Sequence, residues 1–338
     1  MPDLDKYKKE LSDFLDNSKN ILLICHVNPD GDAIGSMLAF YHYLNSTGKN
    51  AEMISPNFLQ EFLTWMEGVD KINVFIRNKN KCLRLISKAD LIIMFDFNQP
   101  NRLGEAEKAV TESDAKKILI DHHLNPVSFC DVVISDNSRC STSEIVHEIV
   151  GYLSNNTYRD KVYSEAIYVG IITDTGNFEH GNYNGKTFRI VADLIDAGID
   201  KERIYNLVFN NFTENRLRLL GYAVYDRMQI IPEYHTAFII LTRDDLARFN
   251  YRKGDTEGFV NMPLSIRDID FSALFIEKER FVKISFRSKG DFSVSSFASK
   301  YFGGGGHYNA SGGDYYDTID NTVSYFLDVL KKARGNES

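Results

Sequence analysis

The chain has 338 residues, a length that favours two domains over one. Its 43% hydrophobic and 25% charged composition is that of a globular protein able to bury a sizeable core. A formal net charge of -8, with no Lys/Arg-rich block, argues against a protein that grips long duplex nucleic acid by its phosphates.

The N-terminal MPDLDKYKKELSDFL is a charged amphipathic helix pattern without the apolar centre of a signal peptide. No apolar run approaches the roughly 18 residues of a membrane span. A cytoplasmic protein with no membrane contact is expected. Cys25, Cys82, Cys130 and Cys140 show no CxxC spacing, which speaks for reduced thiols rather than a zinc knuckle or redox pair.

Short apolar runs then alternate with helical patterns. Strands are predicted over 21–25, 51–55, 91–95 and 117–120, and a helix over 36–45 that stops near Gly48. Further helices are predicted over 141–153, 161–173 and 187–197, the last closed by Gly198. This alternation predicts an α/β fold with a parallel sheet and helices on both faces, over residues 1–198. A helical linker follows over 199–228, carried by a helix over 211–228. Strands over 230–241, 272–277 and 281–287, with helices over 243–249 and 294–301, predict a smaller α/β domain with a mixed sheet over 229–338. The terminal KKARGNES is expected to fray.

Ligands of open parallel sheets bind beyond the carboxyl ends of the strands. The run 21–25 leads into His26, Asp30 and Asp32 of HVNPDGD; 91–95 leads into Asp96; 117–120 leads into Asp121, His122 and His123. A lone Asp after a strand is usually a cap or a turn, but three strand ends delivering such residues to one rim is harder to dismiss. Asp174, in the helix-breaking TDTG after 161–173, adds a fourth element. Asp30, Asp32, Asp96 and Asp174 would repel one another without cations, and His26 and His122 add neutral imidazole. Oxygen-rich ligation with some imidazole suits Mn²⁺, or Mg²⁺. Two such ions offset four carboxylates and can clamp the attacking and leaving oxygens of phosphoryl transfer. Asp96, alone at a central strand end, is the candidate to bridge them.

These residues carry a resemblance. HVNPDGDAIGS, FDFN, the DHH at 121–123 and ITDTGNF resemble the four motifs of the DHH phosphoesterase family. GGGGHYNA at 303–310 resembles the GGGGHxxA motif of the associated C-terminal domain, and Arg287 resembles its substrate-binding arginine. The resemblance spans about residues 15–335. It implies metal binding by His26, Asp30, Asp32, Asp96, His122 and Asp174, contact of His123 with metal ligands or phosphate, and an orienting role for Asp121. The STSE at 141–144 fits the family's helix start and is equally a plain N-cap.

Gly303, Gly304, Gly305 and Gly306 read as a run whose backbone amides can approach an anion, with His307 beyond to donate to phosphate. Arg287 can pair with phosphate or stack on a base. His42, His147, His180 and His235 read as structural.

The layout most resembles the bifunctional family members that hydrolyse very short single-stranded oligonucleotides and remove the 3′-phosphate of a nucleotide bisphosphate. That likeness implies an exolytic two-metal hydrolase, with water activated by the ions as nucleophile, and suggests a homodimer. The alternatives are a phosphodiesterase for linear or cyclic dinucleotides, a single-strand DNA exonuclease, and a non-catalytic nucleotide-binding protein.

Overall fold

The computed structural model describes residues 4–179 and 181–335, so residues 1–3, at the start of the predicted N-terminal helix, His180 and residues 336–338 lie outside it. Two compact units divide between Asn211 and Phe212.

The first unit runs α1 (Leu4–Asn17), β1 (Ile21–Cys25), α2 (Gly31–Ser46), β2 (Ala51–Ser55), β3 (Ile72–Val74), α3 (Lys79–Lys88) and β4 (Leu91–Phe95). It continues through α4 (Glu107–Thr111), β5 (Lys116–Asp121), β6 (Val132–Ser135), α5 (Thr142–Leu153), α6 (Lys161–Asp174), α7 (Gly185–Asp196) and α8 (Lys201–Phe209). Its six strands are all parallel, in the order β3-β2-β1-β4-β5-β6. Strand β1 is buried along its whole length, as a central parallel strand with both faces covered must be. Alternate residues serve two cores. Ile21, Leu23 and Cys25 pack with α2, α5 and α6, whereas Leu22 and Ile24 pack with α3 and the chain around Leu103.

The order of strands reverses between β1 and β4, the switch point at which open sheets form a crevice. Register then levels the strand ends. Cys25 pairs with Phe95, and Phe95 with Ile120, so His26, Asp96 and Asp121 follow side by side. Helix α2 starts at Gly31, five residues before the predicted 36. Asp30 is the cause: its side chain accepts from the amides of Asp32 and Ala33 at 3.1 and 3.0 Å. The second half of HVNPDGD is therefore a helical turn rather than a loop.

The second unit runs α9 (Glu214–Tyr225), β7 (Met228–Ile231), β8 (Thr236–Leu241), α10 (Arg243–Arg248), β9 (Phe271–Glu277), β10 (Val282–Ser288), α11 (Val294–Phe302), β11 (Gly305–His307), β12 (Ala310–Tyr315) and α12 (Ile319–Arg334). Its sheet is mixed, in the order β11-β12-β10-β9-β8-β7, with β8 and β9 parallel. Phe238, Phe271, Phe275, Phe286, Phe297 and Phe326 form an aromatic core on one face.

Several predictions of local structure need correction. The strand over 230–241 is a hairpin, because Pro232 interrupts pairing and His235 takes a left-handed turn (φ 48°). Strands β3 and β6, of three and four residues, are too short to show a period. The terminal KKAR does not fray; it closes α12, and Arg334 is buried with an ion pair to Asp270 at 2.7 Å. The segment 199–228 is not one connector. Helix α8 lies within the first unit, and α9 buries Leu219 and Ala223 in the core of the second.

Candidate metal centre

At the switch point, donor atoms of seven side chains form three groups, each with its atoms within 4.8 Å of one another. His26, Asp30 and Asp96 make one, Asp32, His122 and Asp174 a second, and Asp96, His122 and His123 a third. All six expected ligands are present in these groups, and His123 joins them. Asp96 and His122 each belong to two groups, so they sit between the others.

Distances describe the centre further. His26 Nε2 lies 3.4 Å from Asp96 Oδ2 and 3.8 Å from Asp30 Oδ2. Across Asp96, His122 Nε2 lies 3.6 Å from Oδ1, and it is 3.2 Å from Asp174 Oδ2. Asp121 is fully buried, and its Oδ1 holds His123 Nδ1 at 2.7 Å. Asp96 takes a positive φ of 68°, uncommon for a residue other than glycine, which turns the chain sharply off β4.

The start of α5 organises the carboxylates. The amides of Thr142 and Ser143 donate to the two oxygens of Asp32 at 2.6 and 2.8 Å, and Thr142 Oγ1 donates to Asp96 Oδ1 at 2.9 Å. A helix N-terminus favours negative charge there. Ser141 caps the same helix through Glu144 N, so STSE both caps the helix and holds the Asp32 and Asp96 carboxylates. Sequence reading left those two roles even. It missed Arg102, whose Nη2 lies 3.0 Å from His26 Nδ1, and Arg139, whose carbonyl oxygen lies 3.3 Å from His122 Nδ1. Neither sits in a recognised motif; the RLG turn after FDFN offered the only cue, for Arg102.

The electrostatics fit a site built for cations. Burial, then Asp96, pushes Asp32 up to about 7. Burial, then Asp32 and Asp96, raises Asp174 well above the carboxylate range. Asp96 goes the other way: burial acts to raise it but is outweighed by His26, His123 and His122, which hold it charged. Those three imidazoles are raised in turn, the nearby carboxylates outweighing burial. Protons are thus drawn to a centre whose charge is otherwise too negative. The donors are oxygens and imidazole nitrogens only, the chemistry of Mn²⁺ or Mg²⁺ rather than of a thiolate metal.

In the second unit, Gly303 is the left-handed C-cap of α11 (φ 62°). A Cβ on Gly304 would meet the Gly312 carbonyl, its carbon at 2.9 Å. Gly305 and Gly306 pair with Gly312 and Ser311. The run is therefore a cap and a hairpin strand, not an open loop, and only at Gly305 would a Cβ meet open space without a positive φ. Ala310 pairs with both Arg287 and His307, so those two side chains leave one face of the sheet on the same rung. His42, His147 and His235 contact Glu67 O, Tyr163 Oη and Asp268 O, which serves local packing.

A six-stranded parallel sheet with an Asp/His cluster at its switch point defines an α/β protein with a candidate divalent-metal centre. Residues 20–171 match the DHH family, N-terminal domain, and residues 233–333 the DHHA1 domain. The bifunctional oligoribonuclease and PAP phosphatase NrnA of Bacillus subtilis is 27% identical over 312 residues, covering 91% of this chain and 93% of that one. The crystal structure of an exopolyphosphatase-related protein from Bacteroides fragilis is 40% identical, with a TM-score of 0.94 over 98% of this chain and 97% of that one. Manganese-bound RecJ from Thermus thermophilus shares the fold at 13% identity, with a TM-score of 0.59 over 98% of this chain and 54% of its own. The chain belongs to the DHH phosphoesterase family. Among the described residues, no helix is long and apolar enough to cross a membrane.

Proposed function

We propose that this protein hydrolyses oligonucleotides of two to a few residues to mononucleotides and removes the 3′-phosphate of 3′-phosphoadenosine 5′-phosphate. The observation that carries this reading is the sharing of Asp96 and His122 among three overlapping donor groups, an arrangement suited to two ions side by side. The name and near full-length coverage of the Bacillus subtilis relative support this substrate class.

His26, Asp30, Asp32, Asp96, His122 and Asp174 would hold the ions, Mn²⁺ foremost, with Asp96 shared. Bound divalent ions supply positive charge against a phosphate and acidify water into a nucleophile at neutral pH. The chain's own part is orientation. A proton on His122 Nδ1, directed at the Arg139 carbonyl, leaves Nε2 with its lone pair on the side of Asp174. His123, braced on Asp121 and raised in pKa, would donate to a phosphate oxygen. In the second unit, Arg287 and His307 share a rung and would contact a substrate phosphate or base, with the Gly305 backbone as the point of close approach.

A time course with Mn²⁺ on labelled RNA of about 2, 5 and 24 nucleotides, 3′-phosphoadenosine 5′-phosphate, and linear and cyclic dinucleotides tests the reading; two-metal phosphoester chemistry predicts its loss in Asp96→Ala. Preference for the 24-mer or for the cyclic form would overturn the assignment of substrate, and full activity in Asp96→Ala the mechanism.

A further inference from the structure

Beneath the candidate ligands lies a charged cluster that the reading above does not use. Arg139 is 8% exposed and faces three carboxylates. Its Nε donates to Asp136 Oδ2 at 3.0 Å, Nη1 to Glu144 Oε1 at 3.3 Å, and Nη2 to Glu148 Oε2 at 3.1 Å. Glu144 is fully buried; its Oε2 accepts from the Cys140 amide at 3.2 Å. Lys186, near the start of α7, reaches Glu148 at 2.7 Å. Asp136 is tied back to its own turn by the amide and hydroxyl of Ser138 at 3.0 and 2.6 Å.

The backbone held by this cluster is the turn from 139 to 143. That turn supplies four of the contacts that orient the centre: the Arg139 carbonyl to His122, the Thr142 and Ser143 amides to Asp32, and the Thr142 hydroxyl to Asp96. One guanidinium therefore fixes a segment on which three candidate ligands depend. A planar fork with five donors can bridge three carboxylates at once; an ammonium, as a point charge, cannot hold the same geometry.

We propose that Arg139 is a positioning residue of the metal centre: its buried bridge to Asp136, Glu144 and Glu148 sets the 139–143 turn, and through it the placement of His122, Asp32 and Asp96. The inference rests on the metal-centre reading. The cluster is more than a stability device, since a buried ion pair is often no better for stability than packed apolar side chains. What an apolar replacement would not reproduce is the fixed direction of the Arg139 carbonyl and the Thr142 and Ser143 amides.

The test is Mn²⁺ titration by calorimetry of wild type, Arg139→Lys, Arg139→Met and a control, Leu11→Ala, at a temperature where circular dichroism shows each variant folded. Leu11 is fully buried in α1, so its truncation lowers stability without touching the turn. Loss of a residue that orients ligands typically weakens metal binding by about 10–100-fold. The expected result is a weakening of about tenfold or more in Arg139→Lys, an altered electron paramagnetic resonance spectrum of bound Mn²⁺, and wild-type affinity in Leu11→Ala. Should Arg139→Met fail to fold, Arg139→Lys decides. An Arg139→Lys affinity within about twofold of wild type, with an unchanged spectrum, overturns the inference alone. Wild type that binds no Mn²⁺ overturns the metal-centre reading itself.

Discussion

Replacing Gly31 with alanine removes no donor, yet it should damage the centre. Gly31 sits in the first turn of α2, between Asp30 and Asp32. A Cβ there would overlap Thr173 Oγ1 and approach Thr173 Cγ2 to 2.5 Å and Cβ to 2.8 Å. Thr173 has little room to yield, because its hydroxyl donates to the Val169 and Gly170 carbonyls at 2.8 and 3.1 Å. Gly31 does not take a positive φ, so the cost is steric and comes from forcing α2 and α6 apart. Overpacking of this kind costs about 1–3 kcal/mol. Asp174 follows Thr173, so the same displacement separates Asp30 and Asp32 from Asp174 and should weaken Mn²⁺ binding on the order of tenfold. Urea unfolding and Mn²⁺ calorimetry would measure the two effects. Thr173→Ala removes the two nearest atoms but leaves the Cβ at 2.8 Å, so in that background Gly31→Ala should cost about half as much. A Gly31→Ala protein within about 0.5 kcal/mol of wild type, with unchanged metal affinity, would refute the close approach as the reason for this glycine.

The metal-free protein should lose stability as pH rises from 3.8, the ordinary value for Asp32, toward its raised value of about 7. The folded state holds that proton more tightly, so the stabilisation is full below the lower value and lost through the upper one, by at most about 4 kcal/mol. Asp32→Asn should flatten this slope in chelator-treated protein, and Mn²⁺ should reverse it by taking the proton's place; identical slopes in mutant and wild type would count against it. Thr142→Val removes the hydroxyl that donates to Asp96 but keeps the amide on Asp32. It should cost about 1.5–3 kcal/mol and weaken Mn²⁺ binding, which thermal unfolding and calorimetry check. In the second unit, Gly304→Ala should lower the unfolding temperature, because its Cβ meets the Gly312 carbonyl, whereas Gly305→Ala meets nothing and should leave it unchanged. A raised KM for dinucleotide in Gly305→Ala would mark that residue as a substrate contact, and an unchanged KM would remove it from the site.

The sequence by itself determined the parallel α/β class and the rim on which the chemistry falls. Buried parallel strands such as 21–25 are continuous apolar runs, and the polar residue that ends each run is visible in one dimension. It also carried the six candidate ligands, since each lies in a motif at a strand or helix end. Tertiary structure alone decided the rest. Arg102 meets His26 across 76 positions of sequence and Thr142 meets Asp32 across 110, separations that no local pattern records. In sequence, Gly31 gives no sign of its packing against α6, and the glycine run, read as an approach for an anion, gives no sign of its pairing with β12. Sterics and hydrogen bonds between distant segments give these residues their roles, and such contacts exist only once the chain has folded.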